Sequence, residues 1–272
     1  MTTVHTLASG SSGNALALSW EGGHLLVDAG ISCLRVRRSL EALGLTLGDL
    51  DAILITHTHS DHISGLQTLL KHTDCPVYAS APAGRDLLRR LVLLEDRLRE
   101  AEGTFSVGDC AVTAFPTSHD APGSLGYRFD TPGGAFGLLT DSGVVTPEAE
   151  AVLPGVALAV LEANHDVETL RSGPYPYFLK ERILGPVGHL RNEDAAAFAV
   201  TLARNGAREI VLAHLSLENN TPAMALRAVG TALRAEGLAP RLSAAPRDCL
   251  SGAYTLEGGA ECSGSPSCAW GS

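Results

Sequence analysis

The sequence has almost no lysine, few aromatic residues and a deficit of positive charge. Among its 272 residues, Lys and Arg together number 20 against 30 Asp and Glu, and the formal net charge is −10. Lys71 and Lys180 are the only lysines. Nucleic-acid-binding proteins usually carry a basic face, so this composition argues against binding through a broad basic surface. That charge omits bound cations, however, and two divalent ions would add positive charge where a phosphate would lie.

Long apolar runs and paired cysteines are also missing. No segment approaches the roughly 20 consecutive apolar residues of a membrane span, and residues 1–5 lack the basic start of a secretory signal. The six cysteines form no Cys-x-x-Cys pair. Cys262 and Cys268 leave a metal or disulfide role open, and the other four are expected to be reduced. We therefore expect a cytoplasmic protein that makes no membrane contact.

Apolar residues make up 45% of the chain, enough for a sizeable core. Short apolar runs predict strands at Val4–Leu7, Ala15–Ser19, His24–Asp28, Ala52–Thr56, Pro76–Ala79, Cys110–Phe115, Leu125–Phe129, Ala135–Thr140, Leu158–Glu162 and Glu209–Ala213, with a last strand ending at Leu256. Helical spacing predicts helices at Cys33–Leu43, Ile63–Lys71, Ala83–Arg99, the later part of Pro174–Leu184, Asn192–Arg204 and Pro222–Glu236. Neither a repeat nor a linker interrupts residues 1–256, which predicts one α/β domain there. Residues 257–272 are rich in Gly and Ser, and we expect a disordered tail.

One short segment carries most of the chemical information. His57, His59, Asp61 and His62 lie within six residues, directly after the apolar run Ala52–Thr56. Imidazole and carboxylate are ligands for zinc, manganese or iron, and ligands at the carboxyl end of a buried strand lie where α/β sheets form their active sites. An isolated histidine at a strand end is more often structural, but four ligands in this spacing predict a metal site.

This segment resembles the His-x-His-x-Asp-His signature of the metallo-β-lactamase superfamily. The resemblance implies an αβ/βα four-layer sandwich, which is an α/β fold. It also implies three more ligands, and His119, Asp141 and His214 each follow a predicted strand as that pattern requires. The resemblance implies that one ion is bound by His57, His59 and His119. The other is bound by Asp61, His62 and His214, and Asp141 is shared by both ions. The two divalent ions would be zinc or manganese, with iron as a further option.

Four other segments resemble one branch of this superfamily. They are Ala8–Ala15, Leu161–Asp166, Gly188–Asn192 and Leu215–Pro222. Together they are similar to the YycJ/WalJ-like exonuclease branch, which is related to the tRNase Z and RNase J nucleases, and the match runs from about residue 4 to residue 256. Arg191 stands where that branch has serine, so a guanidinium replaces any hydroxyl contact there and offers a contact to phosphate.

The resemblance implies hydrolysis of phosphodiesters, specifically 5′-to-3′ exonuclease action on DNA with a metal-bridging hydroxide as nucleophile. Asp61, Glu162 and His189 are the catalytic candidates. Glu162 and His189 match a pair that protonates the leaving group, although His189 could instead only contact backbone at the start of a helix. The candidates for substrate contact are His165, Arg191, Asn219 and Asn220, with Tyr175 as a weaker one. His165 fits a structural role equally well.

Several charged residues have two readings. Asp28, before Gly30, either orients a ligand histidine or forms a turn. A local basic patch could be formed by the arginines of Arg35–Arg38 and Arg85–Arg99. We favour the alternative that these arginines lie on solvated helix faces among acidic residues. His5, His24 and His72 lack a ligand context.

Two other functions remain open. The same metal pair could hydrolyse a small thioester, lactone or phosphodiester, which the acidic composition favours because DNA binding normally rests on several Lys and Arg contacts. The chain could also be a non-catalytic metal-bound regulatory protein, but the complete ligand set argues against that. The sequence leaves the oligomeric state open, including a homodimer.

Overall fold

A computed structural model describes residues 1–256, so the predicted tail, with Cys262 and Cys268, lies outside the described residues. Two seven-stranded sheets form the centre of this part of the chain. The first contains, in spatial order, β14 (Tyr254–Leu256), β1 (Thr2–Ala8), β2 (Ala15–Trp20), β3 (Gly23–Val27), β4 (Ala52–Leu54), β5 (Val77–Ala79) and β6 (Leu98–Glu100). The second contains β13 (Arg241–Ala244), β12 (Glu209–Ala213), β11 (Leu158–Glu162), β10 (Gly134–Leu139), β9 (Leu125–Thr131), β8 (Cys110–Pro116) and β7 (Thr104–Val107).

Helices cover the outer face of each sheet. They are α1 (Cys33–Ala42), α2 (Ser60–Ile63), α3 (Leu66–Leu69), α4 (Ala81–Arg90), α5 (Pro147–Val152), α6 (Val167–Ser172), α7 (Tyr177–Leu184), α8 (Asn192–Arg204) and α9 (Pro222–Ala235). Several begin at a residue whose side chain accepts a backbone N–H, as Thr221 does from Met224, which satisfies an otherwise unpaired donor. Within residues 1–256, no helix has the length and apolar character needed to cross a bilayer.

The strands are apolar on both faces because each sheet lies between two layers. In β4, Ile53 packs with the helices on the outside, whereas Ala52 and Leu54 pack between the sheets. In β11, Val160 faces the other sheet and Leu161 faces the helices that include α8. The order is therefore helices, sheet, sheet, helices, which confirms the predicted αβ/βα sandwich.

Strand direction brings the functional segments to one edge. Strands β3 to β6 run parallel to one another, and so do strands β10 to β13. The carboxyl ends of parallel strands meet at the same edge of a sheet, which is where open α/β folds place their sites.

Two helix predictions were wrong in detail. The segment Ala83–Arg99 is not one helix: α4 ends at Arg90, Leu91 is extended (φ −131°, ψ 93°), and β6 pairs with β5 at the edge of the first sheet. The segment Ile63–Lys71 is split into α2 and α3 at Gly65. A Cβ at Gly65 would lie 1.9 Å from the carbonyl oxygen of Ile31, so only glycine allows this close approach.

Candidate metal centre

The segment after β4 places its imidazoles together. Ring centroids are 4.7 Å apart for His57 and His59 and 4.0 Å apart for His57 and His62. His57 and His62 are fully buried, and His59 is partly exposed. The chain is extended at His59 (φ −66°, ψ 151°) and then turns into α2, which carries Asp61 and His62. The predicted ligands of the first sheet therefore face one point.

The second sheet supplies residues from the ends of four strands. His119 follows β8, Asp141 follows β10, Glu162 ends β11, and His214 follows β12. The register pairs Leu139 with Leu161 and Glu162 with Ala213. Asp141, Glu162 and His214 therefore leave adjacent parallel strands at nearly the same level.

The two sets meet in a single cluster. The possible ligand atoms lie within 4.8 Å of one another in each of these groups: His57, His59 and His119; Asp61, His62 and His214; His57, His62 and Asp141; and Asp141, Glu162, His189 and His214. The first two groups match the two implied ion sites. Asp141 lies near both groups, with its Oδ1 3.8 Å from His119 Nε2 and its Oδ2 3.3 Å from His62 Nε2. The structure thus brings all seven predicted ligands together.

The donor set fits a cation. Within the described residues, three buried atoms of this cluster have no hydrogen-bond partner: His57 Nε2, His214 Nε2 and Asp141 Oδ2. A buried polar atom without a partner costs about 1–3 kcal/mol, and coordination to a metal would offset that cost. Imidazoles and carboxylates are suitable donors for zinc, manganese and iron.

Electrostatics support the same interpretation. Burial lowers the pKa of His57 far below its usual range, so this imidazole is neutral and free to coordinate. Burial also opposes the charged form of His62, but the carboxylates of Asp141 and Asp28 outweigh it and raise the pKa of His62 to about 9. The carboxylates thus favour positive charge at the position where a bound cation would lie.

Asp28 holds one of the ligands in place. Its Oδ2 accepts hydrogen bonds from His62 Nδ1 and Thr56 Oγ1, each at 2.8 Å, and its Oδ1 accepts from the Thr56 backbone N–H at 2.9 Å. This arrangement leaves Nε2 of His62 facing the cluster. Of the two readings of Asp28, the contacts match the orientation of a ligand histidine.

Backbone strain is concentrated at the same residues. Within the described part of the chain, the non-glycine residues with positive φ are Asp28 (61°), Asp141 (56°) and His214 (54°). Each directly follows a strand or lies within two residues of its end. A non-glycine residue in this region costs about 1–3 kcal/mol. Three such residues around one cluster indicate that the chain keeps these side chains for function rather than for stability.

Glu162 joins two imidazoles at the centre of the second sheet. Its Oε1 accepts from His189 Nδ1 at 2.8 Å and lies 3.0 Å from His214 Nδ1. Its Oε2 accepts from the backbone N–H groups of Ser142 and Leu190. Burial raises the pKa of Glu162, but the charge of His189 and hydrogen bonds from both imidazoles lower it below its usual range. Glu162 is therefore a carboxylate that orients both rings.

Sequence reasoning missed two neighbours of the cluster. Asn14, in the Gly/Ser-rich loop, has its Nδ2 3.0 Å from His62 Nε2 and 3.4 Å from Asp61 Oδ2. Gly30 lets the loops approach, because a Cβ there would lie 1.6 Å from the Asp61 carbonyl oxygen. The glycines around Asn14 were the available signal, but glycine-rich loops are usually ordinary turns.

A cavity of about 230 Å³ adjoins the cluster beside His119 and His189. One of its walls comes from α7 and the turn before it, including Tyr175 and Arg182. Arg182 Nε donates to Asp120 Oδ2 at 2.5 Å, and Asp120 Oδ1 lies 3.6 Å from His59 Nε2. Asp120 and Arg182 were also missed, because nothing in the sequence indicates that they meet.

The predicted substrate-contact residues occupy different positions. His165 is buried, with neither ring nitrogen hydrogen-bonded. Arg191 is half exposed and donates to Asp194. Asn219 and Asn220 are buried, and Asn220 bonds to the Ala163 carbonyl and to Asn192. Neither asparagine lines the cavity, so their contact with substrate stays a prediction.

Comparison with known proteins gives the same assignment as the geometry. Residues 24–215 match the family described as beta-lactamase superfamily domain. The chain is 38% identical over 234 residues to an exodeoxyribonuclease YycJ of Bacillus anthracis, covering 85% of this chain and 89% of that protein. It is 40% identical over 224 residues to an exodeoxyribonuclease WalJ of Streptococcus pneumoniae, covering 80% and 83%.

Solved structures support the fold. The metallo-beta-lactamase fold protein YhfI from Bacillus subtilis superposes with a TM-score of 0.70 at 15% identity, covering 93% of this chain and 100% of that one. The short form of human tRNase Z superposes with a TM-score of 0.63 at 21% identity, covering 93% and 99%. From the sandwich, the His/Asp cluster and these relatives, we conclude that the chain is a metal-dependent hydrolase that belongs to the metallo-β-lactamase superfamily.

Proposed function

We propose that this hydrolase is a binuclear phosphodiesterase that degrades DNA from the 5′ end. The observation that carries the proposal is the Glu162–His189 pair beside the metal cluster, in which His189 also lines a cavity. A phosphodiester needs such a pair because its leaving oxygen is a poor leaving group without a proton. The two relatives named exodeoxyribonuclease support DNA as the substrate.

In this proposal the protein holds two divalent ions, of zinc or manganese, with iron as a further option. His57, His59 and His119 would hold one ion, Asp61, His62 and His214 the other, and Asp141 would contact both. When bound, such ions activate water at neutral pH and stabilise the negative charge that develops on the phosphate. The carboxylates that favour a positive His62 support this assignment.

His189 is the proposed general acid. Its Nδ1 is held 2.8 Å from Oε1 of the fully buried Glu162, while its own side chain is 21% exposed. Only the other ring nitrogen, Nε2, is therefore left for substrate. Glu162 stabilises the protonated ring and fixes its orientation. Hydrolysis breaks the bond from phosphorus to the 3′ oxygen, which takes the proton from His189, and the 5′ phosphate stays on the remaining strand.

Nuclease assays test the substrate and the direction. The protein would be loaded with Mn²⁺ or Zn²⁺ and incubated with oligodeoxynucleotides labelled at the 5′ or the 3′ end. We expect early release of a labelled mononucleotide from the 5′-labelled strand and gradual shortening of the 3′-labelled strand. Mononucleotide release from the 3′ end first would contradict the direction, and absence of DNA cleavage with either metal would contradict the nuclease assignment.

Two variants separate metal binding from proton transfer. Asp141→Ala should abolish cleavage and lower metal content, because both proposed ions lose a ligand. His189→Ala should slow cleavage by about 100- to 10,000-fold and leave the metal content intact. An equal loss of metal in His189→Ala would make His189 a ligand instead, and an active Asp141→Ala would disprove the shared role of Asp141.

The second candidate is hydrolysis of a small thioester, lactone or phosphodiester. The net charge of −10 and the scarcity of lysine favour it, since several Lys and Arg contacts normally hold DNA. Turnover of such a compound without digestion of DNA would select this function. Both candidates use the same cluster, so the oligonucleotide assay decides between them.

A further inference from the structure

An apolar patch lies uncovered at the end of α4. It consists of Leu88, Val92 and Leu93, which are 41%, 86% and 49% exposed, and the Val92 value is the highest for a large apolar side chain in residues 1–256. Single exposed apolar residues are normal on a protein surface, but a group of them marks a site of interaction. None of the three lines the cavity beside the metal cluster. The proposed hydrolysis therefore gives this patch no role.

The local backbone brings the apolar patch to one side of the segment. At Leu91 the chain passes from α4 directly into a 3-10 turn, Val92–Leu94. The Leu91 N–H donates to the Leu87 carbonyl at 2.8 Å, and the Leu94 N–H donates to the Leu91 carbonyl at 3.2 Å, which keeps the segment compact. These three leucines pack in the core, and the residues between them are exposed. The patch therefore faces away from the domain.

Opposite charges flank the apolar patch along the chain. The basic side, Arg85 and Arg89, precedes it and shares a face of α4 with it, since residues three and four apart lie on one side of a helix. The acidic side, Glu95 and Asp96, follows it directly. All four side chains are exposed, and the contact of Arg89 with Asp86 is long, at 3.4 Å. The order along this segment is therefore basic, apolar and acidic.

This order is what a two-fold interface requires. In a symmetric dimer the same surface meets itself, so each group must face its complement on the other copy. Across a two-fold axis through the apolar patch, the basic side of one copy lies against the acidic side of the other, and the apolar side chains meet in the middle. Specific interfaces have this arrangement of an apolar centre within a polar rim. An unrelated partner would need no such self-complementary order.

The neighbouring strand offers a less suitable surface. β6 is the outer strand of the first sheet, and an outer strand can pair with a strand of another chain. Arg99 occupies this edge, because its Nη1 donates to the carbonyls of Asp96 and Leu98 at 3.0 and 2.9 Å. Charged side chains on an outer strand protect it against such pairing. This leaves the apolar patch, rather than the strand, as the docking surface.

We propose that two copies of this chain dock through the apolar patch of α4 about a two-fold axis, with the basic side of each copy against the acidic side of the other. Three apolar side chains make a small centre, so the interface is transient, with a dissociation constant on the order of 10 µM. The inference concerns association and does not rest on the proposed nuclease function.

Sedimentation velocity of the full chain tests the association, over concentrations from about 1 to 100 µM that bracket this constant. We expect the wild type to shift reversibly from monomer to dimer. Val92→Asp brings two carboxylates together at the centre and should raise the dissociation constant by about 30-fold or more, as residues at the centre of an interface do. Leu217→Asp is the matched control, since Leu217 is 67% exposed and lies outside the patch, and it should leave the constant unchanged.

An exchange of charges tests the two-fold arrangement. The variant Arg85→Glu/Arg89→Glu has two acidic sides, and the variant Glu95→Arg/Asp96→Arg has two basic sides. Each variant alone should stay monomeric, because like charges face each other across the axis. Mixed in equal amounts, the two should form a heterodimer, because both contacts then join opposite charges. The four side chains are exposed, so the exchanges leave the core unchanged.

Three results would overturn the inference. A wild-type chain that stays monomeric at the highest concentration would leave the apolar patch to a different partner. Association that persists in Val92→Asp, or that is lost equally in Leu217→Asp, would place the interface on another face. Charge variants that associate alone, or that stay monomeric when mixed, would refute the facing of basic and acidic sides.

Discussion

Glu162→Gln is the substitution that most directly tests the arrangement of the site. The carboxylate accepts four hydrogen bonds: two imidazoles approach Oε1, and two backbone N–H groups approach Oε2. Glutamine has the same shape but one of its two terminal atoms is a donor. Whichever way the amide is turned, its NH₂ group faces two other donors. The variant therefore loses two hydrogen bonds as well as the charge.

The expected magnitude follows from these contacts. A hydrogen bond to a charged group contributes about 1.5–3 kcal/mol, so two of them give about 3 kcal/mol or more, with neighbouring bonds not strictly additive. Loss of a partner that orients a ligand histidine typically lowers metal affinity by about 10- to 100-fold. Because His214 and His189 share Glu162, we expect both metal affinity and kcat to fall in this single variant.

Three measurements check the prediction: metal affinity by competition with a chelating dye, kcat at saturating metal, and unfolding free energy from urea denaturation. Glu168→Gln is the matched control, since the Glu168 side chain is 83% exposed and forms a surface ion pair with Arg171. Exposed ion pairs contribute about 0–1 kcal/mol, so the control should resemble the wild type. A Glu162→Gln protein with wild-type metal affinity and kcat would refute the role of Glu162 as the common support.

Three further predictions follow from the structure. Gly30→Ala should destabilise the fold and release metal, because its Cβ would meet the Asp61 carbonyl at 1.6 Å, whereas Gly252→Ala meets nothing within 4 Å and should be neutral in thermal unfolding. Burial lowers the pKa of His165 from 6.5 to about 4. Between these pH values the imidazole binds a proton in the unfolded chain but stays neutral in the folded chain. The free energy of unfolding therefore decreases as the pH falls through this range. Between pH 7 and pH 5, the free energy of unfolding measured in urea should fall by about 2 kcal/mol more in the wild type than in His165→Gln. An equal decrease in the two proteins would contradict a neutral buried His165. Chelation should abolish hydrolysis and lower the melting temperature, because His57 and His214 keep buried nitrogens without partners; an unchanged melting temperature would mean that no structural metal was held.

The apolar runs predicted an α/β domain, and the resemblance to the metallo-β-lactamase signature implied the sandwich and the ligands His119, Asp141 and His214. Each proposed ligand follows an apolar run, and runs apolar on both faces predict strands inside a layered sheet. The resemblance placed Asp141 and His214 in one site, and their positions after predicted strands agreed with it, because the ends of parallel strands share an edge. Their chemical roles remain part of the proposal.

What the sequence could not reveal depends on contacts between distant segments. The Arg182–Asp120 pair joins residues 62 positions apart, and no local pattern marks it. The Leu- and Arg-rich stretch Ala83–Arg99 has helical spacing, but pairing of Leu98–Glu100 with β5 outweighs local preference at the sheet edge. Asn219 is polar and near His214 in sequence, yet it is buried, because burial is decided by how the loops pack.

The division of the cluster between the two sheets has a further consequence. Four of the proposed ligands come from the segment after β4, and the others come from the opposite sheet. The separation of the two halves therefore depends on how the sheets slide over each other. Tyr127, fully buried between the sheets, donates from its hydroxyl to the carbonyl of Ile55, two residues before His57, at 2.8 Å. Functional sites tolerate displacements of about 0.5 Å, so the apolar layer between the sheets sets the alignment of the metal centre. Substitutions in that layer can displace the two halves of the cluster and lower activity without changing a ligand.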